Sequence, residues 1–245
     1  MTADGFGVKE RLIVALDLAD PARARSLATL LAPEVGMFKV GKQLYVSAGP
    51  DIVRTIHELG GEVFLDLKFH DISNTVAAAA VEAARLGVRL FNVHAFGGPE
   101  MMRQTAAAVE KVCAEEGLRR PSVLGVTVLT SLDDSDLETL GIQGGVRAHV
   151  LRLAGMVREA GLAGVVCSAQ EASDIRRSCG DAFLLVTPGI RPAGQQAGDQ
   201  KRVMTPGDAL RAGIDYIVVG RPITGADDPA AAARSVVAEM AEAAE

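Results

Sequence analysis

The stretch that decides the fold reads Phe64-Leu65-Asp66-Leu67-Lys68-Phe69-His70-Asp71-Ile72. Its beginning is apolar, which is typical of a buried strand, and its end carries charge. Side chains two residues apart in a strand point to the same side, so Asp66 and Lys68 are predicted to share one face. Asp71 follows just past the strand end. Buried charges are costly unless they are paired, so the pattern indicates either a structural ion pair or a site built from alternating charges.

Length and composition are those of one large folded domain. The chain has 245 residues, and a (β/α)8 barrel needs about 250. Hydrophobic residues make up 49% and charged residues 23%, so the chain can bury a sizeable core and is not disordered. The net charge of −6 argues against a general nucleic-acid surface, although it permits a local basic pocket for a small anion.

Targeting signals and metal-binding spacings are not evident. The N-terminal residues do not read as a signal peptide, and no apolar run is long enough to span a membrane. Cys113, Cys167 and Cys179 lack the spacing of metal ligands. Their odd number suggests reduced thiols in the cytoplasm, and a structural role is the simplest interpretation of each. Together with the net charge and the lack of a membrane-spanning run, this leads us to expect a cytoplasmic protein that binds neither membranes nor nucleic acid.

Apolar runs typical of strands alternate with helical patterns along the whole chain. Strands are predicted at residues 11–17, 35–40, 62–68, 88–94, 123–129, 164–167, 182–187 and 215–220. Helices are predicted at 21–31, 50–60, 73–86, 98–116, 135–140, 145–160 and 169–178, and from 206 and 228 onwards. Eight such units favour a closed (β/α)8 TIM barrel over an open doubly wound sheet, and no Gly-x-Gly-x-x-Gly follows the first strand. No linker marks a second domain, so residues 1–245 are predicted to form one.

The unusual polar residues fall at the carboxyl ends of these strands, where barrels of this kind carry their functional sites. They are Asp17, Lys39, Asp66, Lys68, Asn92, His94, Thr130, Arg191 and Arg221. Not all of them need be functional. Asn92 and His94 are typical of core polar groups with satisfied hydrogen bonds, and His70 is typical of an exposed strand end.

The last two strands end in loops that predict a phosphate site. They read Thr187-Pro188-Gly189-Ile190-Arg191 and Val219-Gly220-Arg221-Pro222-Ile223. Glycine allows the backbone N–H groups to approach anionic oxygens, and arginine adds charge-assisted hydrogen bonds. The polar loop from Pro192 to Lys201 is predicted to act as a lid over the phosphate.

Taken together, these motifs resemble the orotidine 5′-phosphate decarboxylase family, in its bacterial pyrimidine-biosynthesis form. The resemblance extends over nearly the whole chain. The motifs that carry it are the opening stretch, Phe38-Lys39-Val40-Gly41-Lys42, Asn92-Val93-His94-Ala95, and Thr187 to Pro192 with Gly198-Asp199-Gln200. One departure is Ser73, where the family usually has proline. Because site groups flank this position, we expect altered loop rigidity and not lost chemistry.

The resemblance implies a catalytic array of Lys39, Asp66, Lys68 and Asp71, with Lys68 as the proton donor. Asp71 and Thr75 would reach into the neighbouring subunit's site. The enzyme would therefore be a homodimer with shared active sites. No organic cofactor and no metal are implied.

The resemblance also assigns the substrate contacts. Asp17 and Lys39 would bind the ribose hydroxyls, and Thr130 would lie near the pyrimidine. The phosphate would be held by Arg191, Gln200, Gly220 and Arg221. The implied substrate-binding set further includes Asp66, Asp71, Ile72 and Thr75.

Two alternatives stay open at this point. Sister families, such as 3-keto-gulonate 6-phosphate decarboxylases and hexulose-phosphate synthases, share the Asp-x-Lys-x-x-Asp core but use a metal-stabilised enediolate. A non-catalytic nucleotide-binding barrel, acting as a sensor or scaffold, would keep the phosphate loops. It would have no need of the alternating lysines and aspartates.

Overall fold

A computed structural model describes residues 7–192 and 204–243. Its eight strands are β1 (Leu12–Ala15), β2 (Met37–Gly41), β3 (Glu62–Phe69), β4 (Leu90–His94), β5 (Ser122–Val126), β6 (Gly164–Val166), β7 (Leu184–Thr187) and β8 (Tyr216–Val219). Each strand pairs in parallel with its neighbours in the chain, and β8 closes the barrel against β1. The predicted (β/α)8 barrel is confirmed.

Helices connect the strands around the outside of the barrel. They are α1 (Pro21–Leu31), α2 (Lys42–Ala48), α3 (Asp51–Glu58), α4 (Ser73–Arg85), α5 (Gly98–Glu116), α6 (Asp134–Thr139), α7 (Gly145–Glu159), α8 (Ala172–Cys179), α9 (Pro206–Arg211), α10 (Arg221–Thr224) and α11 (Pro229–Glu242). Within residues 7–192 and 204–243, none of the helices combines the length and the apolar character needed to cross a membrane.

Alternation along each strand divides the core into two clusters, because neighbouring side chains point to opposite faces of the sheet. Ile13 and Ala15 of β1 belong to the small cluster that fills the barrel. Leu12 and Val14 belong to the larger cluster between the sheet and the helices. Both faces are thus buried, which explains why these strands read as continuous apolar runs.

Several strands are shorter than predicted. β1 ends at Ala15, so Asp17 lies beyond the strand and not on it. β5 ends at Val126 although the apolar run continues to Leu129. Val128 and Leu129 lie beyond the strand and line a cavity at the top of the barrel, and Val128 also packs into the larger core cluster.

Two helices were not predicted. α2 has glycine before its first residue and no capping side chain, and it contains Tyr45 and Val46, which are modest helix formers. α10 spans four residues and includes Pro222. Both are too short for a helical period to be recognised in the sequence.

Candidate active site

Three polar side chains form one layer at the carboxyl end of the barrel interior. Met37, Phe64 and Leu90 point into the barrel from β2, β3 and β4. The inward positions two residues further along these strands are occupied by Lys39, Asp66 and Asn92. The alternation that fills the barrel with apolar side chains therefore also brings these three polar groups together above them.

Four charged groups alternate in sign across this layer. Lys68 Nζ lies 2.6 Å from Asp66 Oδ1. Lys39 Nζ lies 3.5 Å from Asp66 Oδ2 and 2.7 Å from Asp17 Oδ1. Exposure rises towards both ends of the series, from side-chain values of 10% at Lys39 and 13% at Asp66 to 27% at Lys68 and 60% at Asp17. The inner pair is thus desolvated, while the outer groups face the opening.

The electrostatics of Asp66 follow from this arrangement. Burial alone would raise the pKa of its carboxyl group, but the charges of Lys39 and Lys68 and hydrogen bonds from Lys68 and Asn92 outweigh that effect. The pKa of Asp66 is therefore lowered below its ordinary value of 3.8. Asp66 is a permanent anion at neutral pH, and its charge helps to hold both ammonium groups in place.

The sequence pattern predicts Lys68 on a regular strand, but the backbone at this residue is irregular. Its backbone φ is +53°, and the register of β3 against β4 shifts between Leu65 and Phe69. The backbone N–H of Lys68 donates to Asn92 Oδ1 at 2.7 Å. The predicted contact between Asp66 and Lys68 is confirmed, but the strand period is not what produces it.

A cavity of about 390 Å³ lies against the charged layer. Lys39, Asp66 and Lys68 form one side of it, and Val126, Val128, Leu129, Thr130 and Val166 are among the residues of the opposite side. Thr130, predicted to lie near the pyrimidine, is thus in the lining of the same cavity as Lys68. Such a cavity, mostly apolar but with charged groups along one side, suits a flat ring that carries an anionic substituent.

A second cavity of about 290 Å³ continues from the first, since Asp17, Lys39, Pro188 and Val218 line both. Its far side carries the loop residues predicted to bind phosphate, namely Gly189, Arg191, Gly220 and Arg221. Gly189 has a backbone φ of +79°, which favours glycine at this position. The second cavity is thus a cationic pocket away from Lys68, and Asp17 and Lys39 lie where the two cavities join.

Three predicted site residues lie apart from this layer. Asp71, Ile72 and Thr75 are exposed, and Ile72 has 73% of its surface accessible. Asp71 accepts a hydrogen bond from the backbone N–H of Ile72 at 2.6 Å. No ion pair between Asp71 and Lys68 occurs in the described part of the chain. Gln200 and the proposed lid from residue 193 to Lys201 lie outside the described residues.

A row of aromatic rings beside Lys68 was not anticipated. The ring of His70 stacks on that of His94 with centroids 5.4 Å apart, and Phe96 continues the row towards His149. Within the described part of the chain, the buried His94 Nδ1 has no hydrogen-bond partner. The prediction of a satisfied core group is therefore wrong for His94 and correct for Asn92. Burial, with the charges of His70, Lys68 and Lys42, lowers the pKa of His94 to about 4.

In residues 7–192 and 204–243, no group of three or more histidine, cysteine, aspartate or glutamate side chains is arranged to hold a metal ion. The cavity also contains Cys167, which the sequence had suggested to be structural.

Known proteins resemble this chain over nearly its full length. A protein of Geobacter sulfurreducens named orotidine 5′-phosphate decarboxylase is 54% identical over 232 residues, which cover 95% of this chain and 96% of the relative. One from Geotalea daltonii with the same name is 52% identical, with the same coverage. The crystal structure of orotidine 5′-phosphate decarboxylase from Lactobacillus acidophilus superposes with a TM-score of 0.82 at 38% identity, covering 94% of this chain and 98% of that one.

The family itself is shown by a match to most of the chain. The sequence model described as "Orotidine 5'-phosphate decarboxylase / HUMPS family" matches residues 10–236. This range contains all eight strands and the whole charged layer. With the barrel, its charged layer and these relatives in agreement, the chain belongs to the orotidine 5′-phosphate decarboxylase / HUMPS family.

Proposed function

We propose that this protein decarboxylates orotidine 5′-phosphate to uridine 5′-phosphate and carbon dioxide, without a cofactor, in pyrimidine biosynthesis. The observation that carries the proposal is the series Asp17, Lys39, Asp66 and Lys68, which alternates in charge along one side of the larger cavity. The names of the relatives support this substrate over the sugar phosphates of the sister enzymes.

In this proposal the substrate extends across both cavities, with its pyrimidine in the larger one and its phosphate in the smaller one. The pyrimidine occupies the larger cavity between Lys68 and Thr130, and the ribose hydroxyls lie on Asp17 and Lys39. The phosphate occupies the smaller cavity, where Arg191 and Arg221 neutralise it and Gly220 allows close approach. Gln200 completes the phosphate site in this proposal. The carboxylate at C6 then faces Asp66 and Lys68.

The chemistry is a breakage of the bond between C6 and the carboxylate. Carbon dioxide leaves, and the electron pair stays on C6, where the ring offers no obvious sink. The ammonium group of Lys68 stabilises this charge as it develops and then transfers a proton to C6. Preorganised charge in a water-poor site is usually the largest contribution to catalysis. Lys68 regains its proton from solvent after the product leaves.

Asp66 has two functions in this mechanism. It holds the ammonium group of Lys68 at 2.6 Å, which keeps the proton donor aimed at C6. It also places a carboxylate near the substrate carboxylate, which disfavours the ground state. The phosphate lies far from C6, and its binding energy offsets the cost of bringing these charges together.

The active sites are shared between two subunits in this proposal. Asp71, Ile72 and Thr75 are exposed at the end of β3 and the start of α4. Among the described residues, no ion pair joins Asp71 to the charged layer of its own chain. An exposed isoleucine beside an exposed aspartate is consistent with a surface that a second copy covers. Asp71 of one subunit would complete the array around Lys68 of the other. The odd number of cysteines and the net charge of −6 support a cytoplasmic enzyme that does not bind nucleic acid.

The function is tested by following the loss of ultraviolet absorbance of orotidine 5′-phosphate, with and without a chelator. We expect turnover in both conditions. The matched assay uses 3-keto-gulonate 6-phosphate, for which no turnover is expected. Activity that is lost on chelation, or turnover of the sugar phosphate alone, would instead assign the chain to the metal-dependent branch of the family.

A further inference from the structure

The ladder between β3 and β4 is interrupted beside the charged layer. Leu65 pairs with Phe91, and the next pair in register is Phe69 with Val93. Three residues of β3 therefore lie opposite Asn92 alone. Within the described ranges, Lys68 is the one residue other than glycine with a positive φ. Side chains disfavour this conformation, so neighbouring contacts must stabilise it.

Asn92 supplies such contacts from the facing strand. Its Oδ1 accepts the backbone N–H of Lys68 at 2.7 Å, and its amide nitrogen donates to Asp66 Oδ1 at 2.7 Å. Only one orientation of the amide satisfies both bonds. In the reverse orientation, the amide nitrogen would face the Lys68 N–H, and the amide oxygen would face the Asp66 carboxylate. Asn92 is fully buried. It therefore links the backbone of Lys68 to the carboxylate of Asp66.

We propose that Asn92 is a positioning residue, which fixes the Lys68 ammonium group against Asp66 by holding the irregular backbone of β3. The proposal rests on the functions proposed above for Lys68 and Asp66. Asn92 is fully buried and is not among the residues that line either cavity described above. Its effect on the reaction is consequently indirect, through the geometry of the proton donor.

Removal of the Asn92 side chain distinguishes an effect on the position of Lys68 from an effect on substrate binding. In Asn92→Ala, both hydrogen bonds are lost and Lys68 is free to leave its present conformation. A small misplacement of a reacting group costs about 100-fold in rate. We expect kcat to fall by about that factor while KM stays within about threefold, because the interaction is needed in the transition state and not for substrate binding.

Asn92→Asp gives a signature that a structural role alone would not produce. The new carboxyl group still accepts the Lys68 N–H, but it faces Asp66 Oδ1, the oxygen that the Lys68 ammonium group also contacts. The Lys39 ammonium group lies at the other oxygen of Asp66, with Asp17 beyond it. Two carboxyl groups at this distance share a proton. As the pH falls, that proton restores a donor to Asp66. The activity of Asn92→Asp relative to the unmodified enzyme is therefore expected to rise with falling pH.

The experiment measures kcat and KM over a pH range for the unmodified enzyme, both Asn92 variants and Thr105→Ala. Thr105 is fully buried on α5 and donates to the Met101 carbonyl, so it controls for the loss of a buried polar group. Circular dichroism and calorimetry with uridine 5′-phosphate check folding and binding. If Asn92→Ala does not fold, the nearly isosteric Asn92→Asp carries the test.

Reduced kcat with near-normal KM in Asn92→Ala, normal kinetics in Thr105→Ala and a pH-dependent ratio for Asn92→Asp would support the proposal. Normal kcat in folded Asn92→Ala would overturn it, as would a ratio for Asn92→Asp that does not change with pH. Failure of the underlying mechanism is detected separately, because it would appear as activity in Lys68→Ala.

Discussion

The Lys68 ammonium group lies 2.6 Å from the Asp66 carboxylate although the backbone between them departs from regular strand geometry. The pair faces a cavity and is partly desolvated. An ion pair kept only for stability would gain little from an unfavourable backbone conformation at one partner. The arrangement is better explained by the need to aim an ammonium group into the cavity.

Loss of the proposed proton donor should abolish turnover. We expect Lys68→Ala to lower kcat by about 10⁴-fold or more, since it removes both the proton donor and the charge that stabilises the carbanion. Uridine 5′-phosphate should still bind measurably by calorimetry, because the phosphate pocket is intact. Lys111→Ala, which removes an exposed lysine of α5, is the matched control and should retain normal kinetics. An active Lys68→Ala enzyme would contradict the mechanism.

Shared active sites predict recovery of activity in mixed dimers. Lys68→Ala and Asp71→Ala are each expected to be nearly inactive alone. If Asp71 serves the partner subunit, a hybrid dimer has one site with both defects and one intact site. Random exchange makes half of the dimers hybrids, so roughly a quarter of the normal activity per subunit should return.

That recovery is measured after subunit exchange has been confirmed with differently tagged chains. A mixture that stays inactive after exchange would place Asp71 in the site of its own chain.

The cationic pocket should act on the phosphate alone. We expect Arg221→Ala to raise KM for orotidine 5′-phosphate by about 10- to 100-fold, which corresponds to the loss of charge-assisted hydrogen bonds. The matched control is the substrate orotidine, which lacks the phosphate. Unmodified enzyme and Arg221→Ala should turn it over equally slowly in a steady-state assay. An equal loss with both substrates would show that Arg221 acts on something other than the phosphate.

The barrel and the position of its site could be predicted because both depend on local patterns. Apolar runs alternate with helical segments, and the polar exceptions, such as Lys39 and Asp66, come where the runs end. These residues follow inward-facing core residues by two positions, so their meeting in one layer is a consequence of strand period. Loop glycines and arginines likewise indicated the second cavity, as Arg191 and Arg221 show.

What could not be predicted depends on contacts between distant parts of the chain. The conformation of Lys68 is held by Asn92, which lies on the next strand and gives no local signal at residue 68. His94 looked like an ordinary core group, and its partnerless nitrogen arises from the way His70 and Phe96 pack around it. Short helices such as α2 form because the barrel fixes their ends and not because of a strong intrinsic preference.

The ring of His94 should make the fold sensitive to mild acid. The ordinary pKa of histidine, 6.5, applies in the unfolded chain, whereas burial and the charges of His70, Lys68 and Lys42 lower the pKa of His94 to about 4 in the folded protein. Between these values the unfolded state binds more protons. The contribution of neutral His94 to stability is therefore fully present above pH 6.5, and the free energy of unfolding decreases as the pH falls from 6.5 towards 4.

We expect His94→Gln to remove about 2 kcal/mol of that decrease. The full shift would imply roughly 3 kcal/mol, but His94 is partly exposed and solvent screens the effect. Urea unfolding at a series of pH values between 7 and 4 measures it. The lowered pKa of Asp66 acts below its ordinary value of 3.8, so its contribution falls outside this window and does not obscure the result. A His94→Gln protein that loses stability with falling pH as steeply as the unmodified one would show that His94 is not the responsible group.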